Sequence, residues 1–177
     1  MTEVKSHTWI VWRLTDGKPG HESQSLGLQR ALERLLPVHC EDIPVAGMSL
    51  GPLSWLSRRF PDGAARPRPD LLIGAGHATH WPLLCARRAW GGATLALMKP
   101  SMPRHWFDWV VAPAHDQVEG GNVIVTQGVL NAMQPGRKRP GSALVLVGGE
   151  SKHFPWDNHR VMVQIEAILT KLPQARV

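Results

Sequence analysis

Residues 16–21 combine groups that could carry acid–base chemistry with a backbone that could bind an anion. Asp16 and His21 bring a carboxylate and an imidazole to one short segment, between an apolar run at residues 9–12 and an amphipathic segment that starts near residue 22. An imidazole accepts and donates a proton near neutral pH, so His21 is a candidate general base or acid. A local hydrogen bond at the start of a helix would explain the same histidine equally well.

Asp16 also has two interpretations. It could orient His21 or bind a sugar hydroxyl, or it could only stabilise a turn through its own backbone. Gly17, Lys18 and Gly20 complete the loop. Glycine permits positive φ or the close approach of a ligand, and the N–H groups that open the following helix favour anions. We therefore predict a site for a phosphate-bearing ligand here, with Asp16 and His21 as its catalytic candidates.

Similar segments recur, each a strand that ends in glycine or proline and is followed by polar or cationic residues. The further substrate- and phosphate-binding candidates in these segments are Gly74, Gly76, His77, Lys99, Ser101, Gly148, Gly149, Ser151 and Lys152. Several such loops at the carboxyl edge of one sheet would together suit phosphate groups. For the two lysines, ordinary surface positions are the alternative interpretation.

The same loops exclude two other kinds of site. His77 and His80 stand three residues apart, a spacing that could present both to one metal, but no further Asp, Glu or Cys completes the set. No metal site is therefore predicted. No segment has the P-loop spacing, and Thr79 stands where the dinucleotide fingerprint requires a third glycine. A tightly bound cofactor is not expected.

Strands that alternate with helices must position these loops. The apolar patterns predict strands at residues 8–14, 38–43, 70–73, 93–98, 108–112 and 122–126, and helices at 21–36, 50–60 and 79–90. This alternation indicates an α/β fold with a Rossmann-like, mostly parallel sheet of four to six strands. Gly27 is expected to allow close packing of a helix on the sheet, and Trp9, Trp12 and Trp55 are assigned to packing.

A Pro/Gly-rich basic stretch divides the chain. Residues 1–133 are predicted to form the Rossmann-like domain, and residues 134–142 a linker. Residues 143–177 would then begin a truncated second Rossmann-like domain, with a strand at 143–147 and a helix at 157–172. Because one strand and one helix cannot form a core alone, we expect homo-oligomer formation through this incomplete unit as one outcome.

Composition limits the environment and the partners. The formal charge of +6 and the pI of about 10 favour anionic partners, including phosphates or peripheral contact with a membrane surface. No apolar run is long enough to span a bilayer. Nucleic acid is disfavoured, because the cations at residues 137–139 have no aromatic residues among them. Cys40 and Cys85 suit reduced thiols, and a cytoplasmic location is expected.

Four blocks of the sequence resemble the mitochondrial-fission ELM family, in the same order. They are WRLTDGKPGHESQ at residues 12–24, LIGAGH at 72–77, MKPS at 98–101 and VGGESKH at 147–153. The first block is the most specific. Members of that family are about twice as long, so the resemblance implies that this chain covers the N-terminal half and the first βα unit of the second half.

The family is in turn similar to GT-B glycosyltransferases, in which two Rossmann-like domains face a substrate cleft. The resemblance implies that the loop at 16–21 lies on the acceptor side, and that residues 148–152 approach the phosphates of a nucleotide sugar acting as co-substrate. The alternative is a non-catalytic scaffold or interaction module of the fission type. The epimerase label of some bacterial members has no support, since the chain contains no Tyr for a Tyr-x-x-x-Lys motif.

Overall fold

The computed structural model describes residues 7–134, 136–137, 139–147 and 156–171, and it contains a six-stranded sheet in which every neighbouring pair is parallel. The strands are Trp9–Thr15 (β1), Val38–Pro44 (β2), Leu71–Ala75 (β3), Ala93–Leu97 (β4), Trp109–Pro113 (β5) and Val123–Thr126 (β6). The helices are Pro19–Glu33 (α1), Pro52–Leu56 (α2), His80–Trp90 (α3) and Asn158–Lys171 (α4). The predicted Rossmann-like α/β class is confirmed.

The strand order is β2-β1-β3-β4-β5-β6. β2 lies on one side of β1 and all later strands lie on the other, so the strand order reverses at β1. In open α/β sheets, the crevice at such a reversal lies beyond the carboxyl ends of the two strands that flank it. Here those strands are β1 and β3, whose register pairs Leu14 with Gly74. The loops that follow them are the two that carry His21 and His77.

Apolar side chains fill both faces of the sheet because β1 and β3 are buried on both sides. Trp12 and Leu72 point to one face and pack in the same cluster as Leu83 of α3. Val11 and Ile73 point to the other face, where Leu28 of α1 packs against their cluster. Helices α1 and α3 therefore cover opposite faces, and their first turns meet the same edge of the sheet.

The observed elements correct several details of the sequence prediction. Helix α1 begins at Pro19 instead of residue 21, because proline suits the first position of a helix. Helix α2 covers only Pro52–Leu56 of the predicted 50–60, since Arg58 adopts a φ of 54° that a helix cannot continue. Gly27 does not pack on the sheet. A Cβ there would lie 2.1 Å from the carbonyl oxygen of Asn131, in the segment after β6.

The tryptophans divide into two groups. Trp12 is completely buried, as predicted. Trp9 and Trp55 are each 41% exposed, so their assignment to packing was wrong. Apolar character alone could not separate them, because the exposure of Trp9 at the start of β1 and of Trp55 on the short helix α2 depends on contacts with distant residues.

The chain divides into two compact units, residues 1–133 and 134–177. In the second unit α4 confirms the predicted helix, whereas residues 143–147 do not form the predicted strand. A strand requires a hydrogen-bonded neighbour, and the described part of this unit supplies none. The second Rossmann-like domain therefore stays a prediction. No helix in the described residues is both long enough and apolar enough to cross a bilayer.

Candidate functional site

Asp16 and His21 form a hydrogen-bonded pair directly beyond β1. Nδ1 of His21 lies 2.8 Å from Oδ2 of Asp16, whose side chain is 1% exposed, while that of His21 is 20% exposed. An ionised carboxylate only accepts hydrogen bonds, so Nδ1 carries the proton. In the neutral ring this leaves Nε2 as the basic nitrogen, and no hydrogen bond within the described residues occupies it. The pair has the geometry of an oriented general base.

Asp16 also serves the turn. Its second oxygen, Oδ1, accepts the backbone N–H of Lys18 at 3.2 Å, and the carbonyl of Lys18 accepts the N–H groups of His21 and Glu22. The two interpretations of Asp16, as an orienting group and as a turn residue, are therefore both present in the geometry. Gly17 adopts a φ of +78°, which L side chains rarely adopt, so glycine is needed at this point of the turn.

The His21 ring lies against the backbone of Gly76, at the beginning of the loop that follows β3. A Cβ built on Gly76 would sit 2.2 Å from Cε1 and 2.3 Å from Nδ1 of His21, and Gly76 has a φ of +83°. Only glycine combines that φ with that space. The loops after β1 and β3, distant in sequence, therefore meet where the strand order reverses.

A buried arginine fixes the position of α1 relative to β1. Arg13, 8% exposed, points from β1 under the first turns of α1, where its guanidinium contacts Ser25 Oγ and the carbonyl of Glu22 at 3.4 Å. It forms a two-pronged ion pair with Asp42 of β2, in which Nε lies 2.7 Å from Oδ1. Hydrogen bonding to Asp42 raises the pKa of Arg13, so this charge is permanent. The sequence analysis missed this residue.

Ser101, in the loop after β4, bridges two histidines that follow β3. Its Oγ lies 2.5 Å from Nδ1 of His77 and 3.1 Å from Nδ1 of His80. A hydroxyl has one proton, so Ser101 donates to one imidazole and accepts an N–H from the other. In neutral His77, Nε2 takes the role that Nδ1 does not take, so this exposed nitrogen can be a donor or an acceptor. The spacing of His77 and His80 was considered for a metal, but it serves this bridge.

His80 is 1% exposed, and it packs against Phe107 with ring centroids 5.3 Å apart. Burial, with a smaller contribution from His77, lowers the pKa of His80 from 6.5 to about 4. The imidazole is therefore neutral at pH 7. Within the described residues no group of three or more His, Cys, Asp or Glu could hold a metal ion.

This lowered pKa predicts a loss of stability in acid. Between pH 6.5 and pH 4 the unfolded chain binds the His80 proton and the folded protein does not, so the free energy of unfolding falls with pH by about 3 kcal/mol. We expect the free energy of unfolding of His80→Gln, measured in urea, to change less between pH 7 and pH 4 than that of the wild type, by about 3 kcal/mol. His39→Gln, which removes a 55% exposed histidine, is the control. An unchanged pH dependence in His80→Gln would contradict the assignment.

Two other segments complete this edge of the sheet. The exposed Lys99 follows β4, and its backbone N–H donates to Asp116 Oδ2 at 3.1 Å. Met98, before it, has a φ of 72°, an uncommon conformation for a non-glycine residue that is often found at functional sites. The side chain of Gln24, on α1, donates to the Met98 sulfur at 3.3 Å. The contact between Gln24 and Met98, 74 residues apart, could not be predicted from a local pattern.

The other predicted site residues fall into three groups. Gly17, Lys18 and Gly20 lie exposed at the start of α1, where an anion could reach the backbone. Gly74 lies inside β3 instead of in the loop, and a Cβ there would collide with Thr79 Oγ1 at 2.6 Å. Its small size therefore serves the packing of α3, and its role in ligand binding stays a prediction. Gly148, Gly149, Ser151 and Lys152 lie outside the described residues.

Comparison with known proteins gives one family match. No curated protein and no solved structure matches the chain. The family match begins at Pro19, the first residue of α1, and continues to the last residue. Because residues 19–177 match the family model described as mitochondrial fission ELM1, the chain belongs to the mitochondrial fission ELM1 family.

Proposed function

We propose that the chain is the acceptor-side domain of a GT-B-like glycosyltransferase that uses a nucleotide sugar as its donor. One observation supports this most strongly: an oriented Asp16–His21 pair, whose Nε2 has no hydrogen bond among the described residues, stands at the strand-order reversal, where α/β folds bind ligands. The +6 formal charge suits a diphosphate-bearing substrate.

In the proposed reaction, Nε2 of His21 removes the proton of an acceptor hydroxyl. The acceptor oxygen forms a bond to the anomeric carbon of the donor sugar, and the bond from that carbon to the diphosphate oxygen breaks. The nucleoside diphosphate leaves with the bonding electron pair. Asp16 stabilises the imidazolium that forms, and it keeps the ring oriented. Gly148, Gly149, Ser151 and Lys152 are proposed to contact the leaving diphosphate, and Lys152 would neutralise its charge.

His77 is proposed to bind a substrate hydroxyl or phosphate oxygen beside His21. It follows Gly76, against which His21 packs, and Ser101 fixes its ring. Because the bridge through Ser101 lets Nε2 of His77 act as a donor or an acceptor, this position can follow a change of substrate protonation during the reaction. Lys18 and Lys99, both exposed at the same edge, supply further positive charge.

The test is a thermal-shift screen of the protein against nucleoside diphosphates and their sugar conjugates. A ligand at 100 times its Kd adds about 2.7 kcal/mol to the stability of the native state, which corresponds to a rise in Tm of about 5–10 °C. We expect one nucleotide class to raise the Tm, Lys152→Ala to reduce the rise, and His21→Ala to leave it unchanged. Lys171→Ala, at the end of α4, is the control. No shift across the panel would overturn the proposal and favour the scaffold.

A further inference from the structure

A groove on the outer surface of α3 has no role in the proposed reaction. It has a volume of about 790 Å³, and it lies between α2, α3 and the turn Arg104–Trp106. The lining residues are Pro52, Trp55, Trp81, Leu84, Arg87, Arg88 and Trp106. Aromatic walls with a few polar groups are typical of small-molecule pockets, and this volume falls in their range.

The walls of the groove remain open to solvent. Trp55 and Trp106 are each 41% exposed, and the rings of Trp81 and Trp106 lie 6.1 Å apart. Leu53 and Leu56, on α2 beside Trp55, are 82% and 68% exposed. Exposure of these apolar side chains to water costs about 25 cal/mol per Å², so covering them with an apolar chain would be favourable.

The charged side chains that line the groove have one sign. They are Arg87 and Arg88, and no Asp or Glu is among the lining residues. Arg87 is already engaged, since it pairs with Asp108 at 2.9 Å and contacts the carbonyl of Trp106. Arg88 differs, because its guanidinium lies over the Trp55 ring at 5.1 Å from the centroid. A guanidinium stacked in this way keeps its in-plane N–H donors available for a carboxylate or phosphate.

We propose that this groove binds an anionic amphiphile, with a single apolar chain between the tryptophans and a carboxylate or phosphate headgroup on Arg88. The occupant is a single molecule in the groove and not a bilayer surface. An uncharged chain would bring no anionic partner to the stacked Arg88, and an inorganic anion would leave the indoles uncovered. The proposal is independent of the proposed glycosyl transfer, since none of the residues that line the groove is a proposed site residue of that reaction.

The experiment is quenching of tryptophan fluorescence by 12-bromododecanoate below its micelle concentration. Bromine quenches indoles only at contact, so it reports the chain and not the headgroup. We expect saturable quenching by the acid and at least about tenfold weaker binding of the uncharged 12-bromododecanol. Arg88→Gln should weaken binding of the acid by a similar factor, whereas Arg68→Gln, at an exposed arginine outside the lining, should not.

A second pair of variants locates the chain. Trp106→Phe should remove part of the quenching signal, while Trp109→Phe, at a 46% exposed tryptophan outside the lining, should leave the amount of fluorescence lost on quenching unchanged. Equal binding of acid and alcohol, or an unchanged affinity in Arg88→Gln, would overturn the proposal. So would binding only to vesicles of phosphatidylcholine with phosphatidylglycerol, because that result would indicate a bilayer surface. Binding of a protein to the groove without any quenching by the amphiphile would overturn it too.

Discussion

His21→Ala is expected to lower kcat of the proposed glycosyl transfer by about 10²–10⁴-fold, the range that general base catalysis contributes. The loss should fall on kcat and leave the KM for the donor nearly unchanged, because Nε2 acts on the acceptor hydroxyl. Steady-state kinetics with the nucleotide sugar identified by the thermal-shift screen would measure it. The kcat of Asp16→Asn should lie between those of the wild type and His21→Ala, since the amide keeps the size of the side chain and loses its charge.

Gly76→Ala separates geometry from chemistry in the same assay. The variant keeps both Asp16 and His21, but its Cβ would occupy the space of the His21 ring. Gly76→Ala should therefore show most of the loss in kcat that His21→Ala shows. His39→Ala is the matched control, because it removes another imidazole paired with a carboxylate, at 3.0 Å from Glu41 on the edge strand β2. Full activity in both His21→Ala and Gly76→Ala would exclude His21 as the base.

Trp12→Ala is expected to lower the free energy of unfolding by about 3–5 kcal/mol, the cost of removing a large aromatic side chain from a core. Trp12 is fully buried, and it stacks on Phe60 with ring centroids 6.1 Å apart. Its Nε1 donates to the carbonyl of Pro67 at 3.1 Å, and that acceptor would lose its partner. Urea unfolding followed by circular dichroism measures the change without depending on indole fluorescence.

The control for this variant is Trp109→Ala. Trp109 begins β5 and is 46% exposed, so its loss should change stability much less. Comparable destabilisation by the two substitutions would mean that the packing around Trp12 does not dominate the core between the sheet and α3.

The sequence predicted the sheet well for a physical reason. Strands buried on both faces have continuous apolar runs, and residues 70–73 lie in such a run at the centre of the sheet. The carboxyl ends of parallel strands share one edge, so the loops with His21, His77 and Ser101 could be grouped before the structure was known. The strand predicted at residues 38–43 is β2, and it lies at one edge of the sheet.

The remaining features depend on contacts between distant residues, which a local pattern does not contain. Gly76 was predicted as a ligand-binding glycine, and the structure adds that it lies against the ring of His21, a contact that its sequence does not show. Ser101 and His80 are 21 residues apart, and only the adjacency of β3 and β4 brings them together. The groove formed by Trp55, Trp81 and Trp106 was missed because an exposed and a buried tryptophan look alike in a sequence.

The order of the strands has a consequence for how the protein is made. β1 pairs with β2 and β3, so its neighbours on both sides are complete once the chain has been synthesised to Ala75. From there β4, β5 and β6 each join the same free edge in the order in which they are translated. No later strand has to enter between two earlier ones. We therefore expect this sheet to assemble on the ribosome by outward addition from a nucleus of three N-terminal strands.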